Sequence, residues 1–393
     1  MTRRSLRVLT NSELNTWRTC HQRWGLQYHE RLRPLARSAP MDWGNLYHAG
    51  CEAGWYGSQT VEPAERLARA QADATAEIAR RVSSELGRTD LAAREGAFDG
   101  DYEQSADEIE QAAREATWAV CHYFQCAADD LRHRLLGAEI AFSVKIPVRE
   151  AITVPFAGKI DLVLYDEDQN MVLVQDHKST GFSVDTLARK LPLDTQMTGY
   201  LAAVRRFMLG RWPDVPGNAR TGVIGFNVSR RAMPSTPKLN LLKKSECKYP
   251  PHSDALAQQT FDGEPRGLVS VAAIDTLGQM YADALDDQAA RGFAVTEKQC
   301  ERLAELVRRG DTFFAQHSFV RDDAEIARWA QELHVESLQI KAAHRNQRMW
   351  TRNPGACTGA TSYGCAYSAV CAEDSPATRQ GFRVAETEHE ELV

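Results

Sequence analysis

Residues 157–180 read AGKIDLVLYDEDQNMVLVQDHKST. Two runs rich in aliphatic and β-branched residues flank the turn-like DEDQN of residues 166–170, the pattern of a β-hairpin. Residues two apart in a strand share a face, so Asp176 and Lys178 project together, and the hairpin can bring Asp161 alongside them. Two carboxylates with a neighbouring lysine suit a hard divalent cation and an activated water. Carboxylate oxygens hold Mg2+ or Mn2+. The cation lowers the pKa of bound water and offsets charge developing on a phosphate. Lys178 can orient that water or stabilise the transition state. A D-x-K triplet is common by itself, and a charged surface hairpin is the plain alternative.

Outward from the hairpin, AEIAFSVKI (138–146) and GVIGFNVS (222–229) read as further strands. A helix is expected from about residue 194 to 208, where Gln196 and Tyr200, four apart, point one way. Toward the N-terminus, residues 61–135 hold two long amphipathic helices, the second stopped by Gly137. A short helix over 43–55 carries His48 in WGNLYHAGCE, either a structural histidine or an imidazole for the same cation. A helix over 10–28 opens on a Thr10/Glu13 capping box and places Leu14, Trp17, Cys20 and Trp24 at helical spacing. Residues 230–266, rich in Pro and Lys, read as a long loop. Helices return at about 270–291, 296–309 and 322–346, and the tail from Glu386 onward reads as acidic and solvated.

The 393 residues carry 43% hydrophobic and 25% charged side chains, a mix that excludes disorder and collagen-like repeats as the main state. No apolar run is long enough to span a bilayer and no signal-peptide core precedes Asn11, so a cytoplasmic, non-membrane protein is expected. The net charge of −6 excludes a globally basic nucleic-acid coat, though not a basic groove on an acidic body. The basic clusters are Arg230, Arg231, Lys243 and Lys244 in one stretch, and Arg348 beside Trp350 in another; basic residues interleaved with an aromatic suit single-stranded nucleic acid. Nine cysteines, an odd number, argue against a disulfide framework. Three of them, Cys357, Cys365 and Cys371, crowd into fifteen residues, which reads first as metal binding.

The order His48, GKIDLV with Asp161, QDHKST with Asp176 and Lys178, then QMTGY with Gln196 and Tyr200, resembles the RecB-type branch of the PD-(D/E)xK nucleases. The resemblance implies an α/β fold: a restriction-endonuclease-like mixed β-sheet flanked by helices. It makes His48, Asp161 and Asp176 ligands of Mg2+ or Mn2+, Lys178 the catalytic lysine, and Gln196 and Tyr200 supporting residues. Glu139 matches an acidic position often seen there, with a salt bridge as its alternative role. Cys20 with Cys357, Cys365 and Cys371 resembles the four thiolates that bind a [4Fe–4S] cluster in the AddB and CRISPR-associated exonucleases. Cys357 and Cys365 are spaced more widely than in those groups, and zinc suits four thiolates equally.

The expected organisation is N-terminal helices over 1–56, a helical insertion over 57–136, the nuclease core over 137–230, a basic loop region and helices over 231–320, a helix and iron–sulfur cap over 321–385, and the acidic tail over 386–393. The implied activity is metal-dependent hydrolysis of DNA phosphodiesters, exonucleolytic, on single strands or duplex ends, in recombination, repair or DNA processing. No GxxxxGK[ST] P-loop is present, so unwinding would need a helicase or recombination partner. A nucleic-acid-binding subunit without catalysis and a restriction-type endonuclease are the alternatives.

Overall fold

A computed structural model describes residues 7–35, 39–94, 102–181, 184, 187, 189–230, 242–243, 276–309, 313–358 and 364–392. In chain order the elements are β1 (Leu9–Thr10), α1 (Asn11–Thr19), α2 (His21–Trp24), a π-helical turn over Gly25–His29, β2 (Leu32–Pro34), α3 (Ala39–Ser58), α4 (Arg66–Arg94), α5 (Tyr102–Cys126), β3 (Arg134–Arg149), β4 (Ile152–Asp166) and β5 (Met171–Thr180). They continue as α6 (Thr195–Arg211), β6 (Arg220–Arg230), β7 (Leu242–Lys243), α7 (Leu277–Ala290), β8 (Phe293–Ala294), α8 (Glu297–Arg309), β9 (Phe314–Val320) and α9 (Asp323–Ala343). Short helices over 354–358, 368–372 and 376–379 precede β10 (Phe382–Val384).

The central sheet is mixed. β4 is antiparallel to β3 and β5, β5 is parallel to β6, and β6 is antiparallel to β9. β1 adds to β4 in parallel, Leu9 beside Phe156 and Thr10 beside Ala157. The β4–β5 ladder stops at Leu162–Gln175. One residue further in that register Asp161 faces Asp176, where the two strands part. On the other side of β4, the pairs Ala138–Leu162 and Ile140–Ile160 bracket Glu139 and Asp161. Three carboxylates thus lie in a row across three strands.

Helices cover both faces. Trp43, Tyr47 and Trp55 of α3 pack with Ala70, Ala74 and Ile78 of α4 and Ala116, Val120 and Phe124 of α5, over Ala138, Leu162 and Leu164 of the sheet. The stripe read from the sequence of α4 and α5 is therefore the face that meets α3 and the sheet, and the pair is one layer of the fold. The opposite layer joins Leu14, Trp17 and Trp24 with Met197, Leu201 and Val204 of α6 and Trp329, Leu333 and Ile340 of α9, over Ile140, Phe142, Phe156 and Ile160. Ala138 and Ile140 belong to opposite layers although they are two apart, as do Leu162 and Ile160. Side chains two apart in a regular strand share a face, so the alternation of β3 and β4 inverts at Glu139 and Asp161. Glu139 adopts a left-handed backbone, φ +49°, which accounts for the inversion in β3.

Several expectations change. The helix expected over 10–28 is broken at Cys20, whose backbone is extended (φ −163°, ψ 116°). Thr10 does cap α1, accepting from the Glu13 amide at 3.2 Å. The Glu13 side chain does not return to Thr10; it is buried against Arg7 and the Trp24 indole N–H. Gly137 stops no helix: α5 ends at Cys126 and Gly137 lies in β3 beside a register shift. The tail after 386 is docked rather than solvated. Glu388 pairs with Arg7, Glu390 with Arg383, and the Glu388 carbonyl accepts from Arg33. β10 pairs with β2 in antiparallel fashion, Phe382 opposite Pro34. Of the loop expected over 230–266, only 230 and 242–243 lie within the described residues.

Candidate active site

The parting of β4 and β5 leaves backbone groups without ladder partners, and side chains take them up. The His177 amide donates to Asp161 Oδ2 at 2.8 Å. His48, from α3, brings Nδ1 to 3.1 Å from Glu139 Oε1 and 3.5 Å from Asp161 Oδ2. Among the described residues, His48, Glu139 and Asp161 form the one group of three or more metal-binding side chains whose ligand atoms all lie within 4.8 Å of one another. Glu139 Oε2 is held by Lys159 Nζ at 3.0 Å.

Asp176 lies outside that compact group and heads a second cluster. Its Oδ2 is 2.7 Å from Lys178 Nζ, and its Oδ1 accepts from Gln196 Nε2 at 3.2 Å. Gln196 Oε1 accepts from Lys178 at 3.0 Å, and Gln196 Nε2 also donates to the Tyr200 hydroxyl at 2.7 Å. The i, i+4 pair on α6 therefore faces the D-x-K strand as one unit. Asp194 caps α6 by accepting from the Gln196 amide at 2.7 Å, which fixes the first turn that carries Gln196. Gly158, in GKID, lets the Tyr200 ring approach: a Cβ there would sit 3.1 Å from Tyr200 Cε1. Asn11, where α1 leaves β1, donates a long contact to Gln196 Oε1 at 3.4 Å.

Electrostatics match the crowding. Burial and then Asp176 push Asp161 up, to about 7. Burial also raises Asp176, with Lys178 opposing. Burial disfavours charge on His48, yet Asp161 and Glu139 outweigh it and lift the imidazole to about 9. Glu139 falls to about 2 against burial, because His48 and Lys159 hold its charge. Burial opposes charge on Lys178 as well, but Asp176 and Asp194 keep its pKa raised. Carboxylates forced together until one of them resists ionisation, with an imidazole beside them, form an oxygen-rich donor set that a divalent cation satisfies.

The PD-(D/E)XK nuclease superfamily model matches residues 8–372. The chain belongs to the PD-(D/E)XK nuclease superfamily. Membership brings metal-dependent nuclease chemistry and nucleic-acid binding with it, and the mixed sheet flanked by helices fits the superfamily fold. No curated protein matches the chain.

Of the four cysteines singled out in this PD-(D/E)XK chain, Cys20 Sγ reaches the Thr351 carbonyl at 4.0 Å and Cys357 Sγ the Asn353 carbonyl at 3.7 Å, while no three of the four sulfurs lie within 4.8 Å of one another. Burial pushes the Cys371 thiol up, Arg352 opposes, and neighbouring Cys20, Cys357 and Cys365 add to the rise. Asn353 itself donates to the Thr19 carbonyl at 2.8 Å. All described cysteines are free thiols. The basic residues are less gathered. Arg230 ends β6 beside Thr180, and Arg348 is exposed. Arg231 and Lys244 lie outside the described residues, and Lys243 is described only as backbone in β7. Trp350 is packed rather than presented for stacking. Its ring lies so close against Gly25 that a Cβ there would clash with it, it meets Trp24 edge-on, and its N–H donates to the Ala343 carbonyl. No helix among the described residues is long and apolar enough to cross a membrane.

Lys159 and the His177 amide were not singled out from the sequence. For Lys159 the signal was available: it stands two residues before Asp161 in a strand.

Proposed function

We propose that this superfamily member is a Mg2+- or Mn2+-dependent deoxyribonuclease that cuts phosphodiesters in single strands or at duplex ends. The observation that carries this reading is the adjacency of two clusters: the compact group of His48, Glu139 and Asp161, and the linked set of Asp176, Lys178, Gln196 and Tyr200. His48, Glu139 and Asp161 would hold the cation, with Asp176 across from Asp161 as a further ligand. When bound, the cation supplies a water of lowered pKa and offsets phosphate charge. The chain's own contribution is positional. The His177 amide fixes Asp161. Lys178 stays an ammonium, held between Asp176 and Gln196, and directs a proton-bearing group at the charge that develops on the phosphoryl oxygens. Tyr200 stays a phenol, its pKa raised by burial, and serves Gln196 as a hydrogen-bond partner.

Cys20, Cys357, Cys365 and Cys371 would hold a [4Fe–4S] cluster, joining the α1–α2 break to the C-terminal segment. What supports this is that Cys20 and Cys357 contact the carbonyls of Thr351 and Asn353 in one short segment, which Asn353 ties to the Thr19 carbonyl, and zinc is the rival occupant. The docking of residues 382–390 onto 7–34 closes the same region without cysteines. Recombination, repair or DNA processing, with a helicase partner for unwinding, is the setting that fits an end-directed nuclease lacking a P-loop.

The test is a timed digestion of end-labelled single- and double-stranded DNA and of a closed circle, with Mg2+, Mn2+ or chelator. Metal-dependent shortening of linear DNA with the circle intact supports the proposal. Cutting of the circle moves it to an endonuclease, and binding without cleavage moves it to a catalytically inactive subunit.

A further inference from the structure

Glu139 spends its two oxygens on two different cations. Oε1 meets His48 Nδ1 at 3.1 Å, and Oε2 meets Lys159 Nζ at 3.0 Å. Lys159 is half-exposed, 44%, whereas Glu139 is 14% exposed. A buried carboxylate is therefore neutralised by an ammonium on a flexible stem that reaches in from the rim. Such a stem redirects at small cost, and an ion pair with one partner half in solvent is worth little. A divalent cation taken up by His48, Glu139 and Asp161 competes with Lys159 for the same carboxylate charge. Once a dication offsets the two carboxylates, the ammonium has no anion left within the group. Two anions then remain in reach: Glu52 on α3, whose charge Lys159 already favours, and, in a nuclease, a phosphate of the bound strand.

We propose that Lys159 is a displaceable counterion of the metal group, released when a divalent cation binds and then paired with a strand phosphate. The inference rests on His48, Glu139 and Asp161 being cation ligands. It makes Lys159 a positioning residue that couples metal uptake to substrate grip, with opposite effects on the two affinities.

The experiment uses the full chain with Lys159→Met and Lys159→Arg. Mn2+ affinity is measured without nucleic acid. Affinity for a short single-stranded oligodeoxynucleotide is measured in Ca2+ and in chelator. Lys159→Met is expected to bind Mn2+ about two- to fivefold more tightly, by removal of a half-exposed competing cation. In Ca2+ it should bind the oligonucleotide about two- to fivefold more weakly, with a salt dependence shallower by about one contact. In chelator it should match the wild type, because Glu139 then retains the lysine. Lys159→Arg should behave as wild type in all three. Unchanged or weaker Mn2+ binding by Lys159→Met, or an equal loss of oligonucleotide affinity with and without Ca2+, overturns the inference alone. A wild type that binds no Mn2+ overturns the ligand reading, and the inference with it.

Discussion

Glu139 lies across from Asp161 on neighbouring strands, at the point where both strands turn their side chains over to the other layer. The left-handed φ of +49° at Glu139 belongs to this inversion. It costs a residue with a Cβ about 1–2 kcal/mol. The strain sits where two carboxylates are brought within reach of one cation, so the metal group is built at the expense of local backbone comfort.

A comparison of Glu139→Gly with Glu139→Ala isolates that strain, because both remove the carboxylate and only glycine accepts the backbone freely. The glycine variant is expected to be the more stable by about 1 kcal/mol in chemical denaturation. Glycine in an ordinary strand gives the reverse order. Alanine being the more stable would remove the strain argument.

Lys178→Ala should lower DNA cleavage by at least about 10²-fold, with oligonucleotide affinity changed far less, since the ammonium is aimed at charge that develops in the transition state. Asp176→Asn should do the same while keeping the shape of the Gln196–Tyr200 network. Near wild-type turnover by either variant in a single-turnover assay would displace the catalytic assignment.

Mn2+ should stabilise the folded protein in a saturable way, by about 2.7 kcal/mol at a hundred times its dissociation constant. Melting curves recorded across a Mn2+ series read this directly. His48→Ala should lose most of the shift, and a variant that keeps the full shift would return His48 to a packing role.

His177 makes a contribution to acid stability whose sign is fixed by its burial. Burial, and then the charge of His48, hold its folded pKa down at about 3, against about 6.5 for a free imidazole. Between those values the unfolded chain binds the proton and the folded one does not, so the contribution of His177 to stability falls as pH drops below about 6.5, while Asp161, held up at about 7, contributes in the opposite sense. His177→Phe should therefore lose less stability than the wild type between pH 6.5 and 4. Parallel curves for the two proteins would show that His177 does not titrate in that window.

Protein purified without oxygen should be brown if Cys20, Cys357, Cys365 and Cys371 hold an iron–sulfur cluster, with visible absorbance that bleaches on reduction. Cys20→Ala should remove the colour, and Cys121→Ala should leave it. Colourless protein with stoichiometric zinc would keep the ligands and change the cofactor. Colourless, metal-free protein would end the proposal.

What the sequence made legible follows from periodicity. Asp176 and Lys178 share a strand face because two residues is the strand repeat, and Gln196 and Tyr200 share a helix face because four is close to a turn. β1 was not legible, since Leu9 and Thr10 form a strand only by lying beside Phe156 and Ala157. β9 was missed because FAQHSFV alternates weakly, its residues being half-buried or exposed. The break at Cys20 carries no Gly or Pro to mark it; the Cys20 amide ends α1 by donating to the Thr16 carbonyl at 2.9 Å, and the chain then turns toward Thr351. An acidic run is ordinarily solvated, and its partners Arg7 and Arg33 lie 381 and 355 residues from Glu388, beyond any local pattern.

The pairing of Leu32–Pro34 with Phe382–Val384 sets a timetable for the nascent chain. At about 5–20 residues per second, a ribosome needs roughly 20–70 seconds to deliver the second strand after the first. Until residues 344 and 389 are made, Trp24 and Tyr28 lack the rings they finally meet, and only near neighbours such as Trp17 and Arg33 lie against them. The amino-terminal segment thus stays incompletely buried until the far end of the chain is made, and synthesis arrested before residue 382 would leave Leu32–Pro34 without its partner strand.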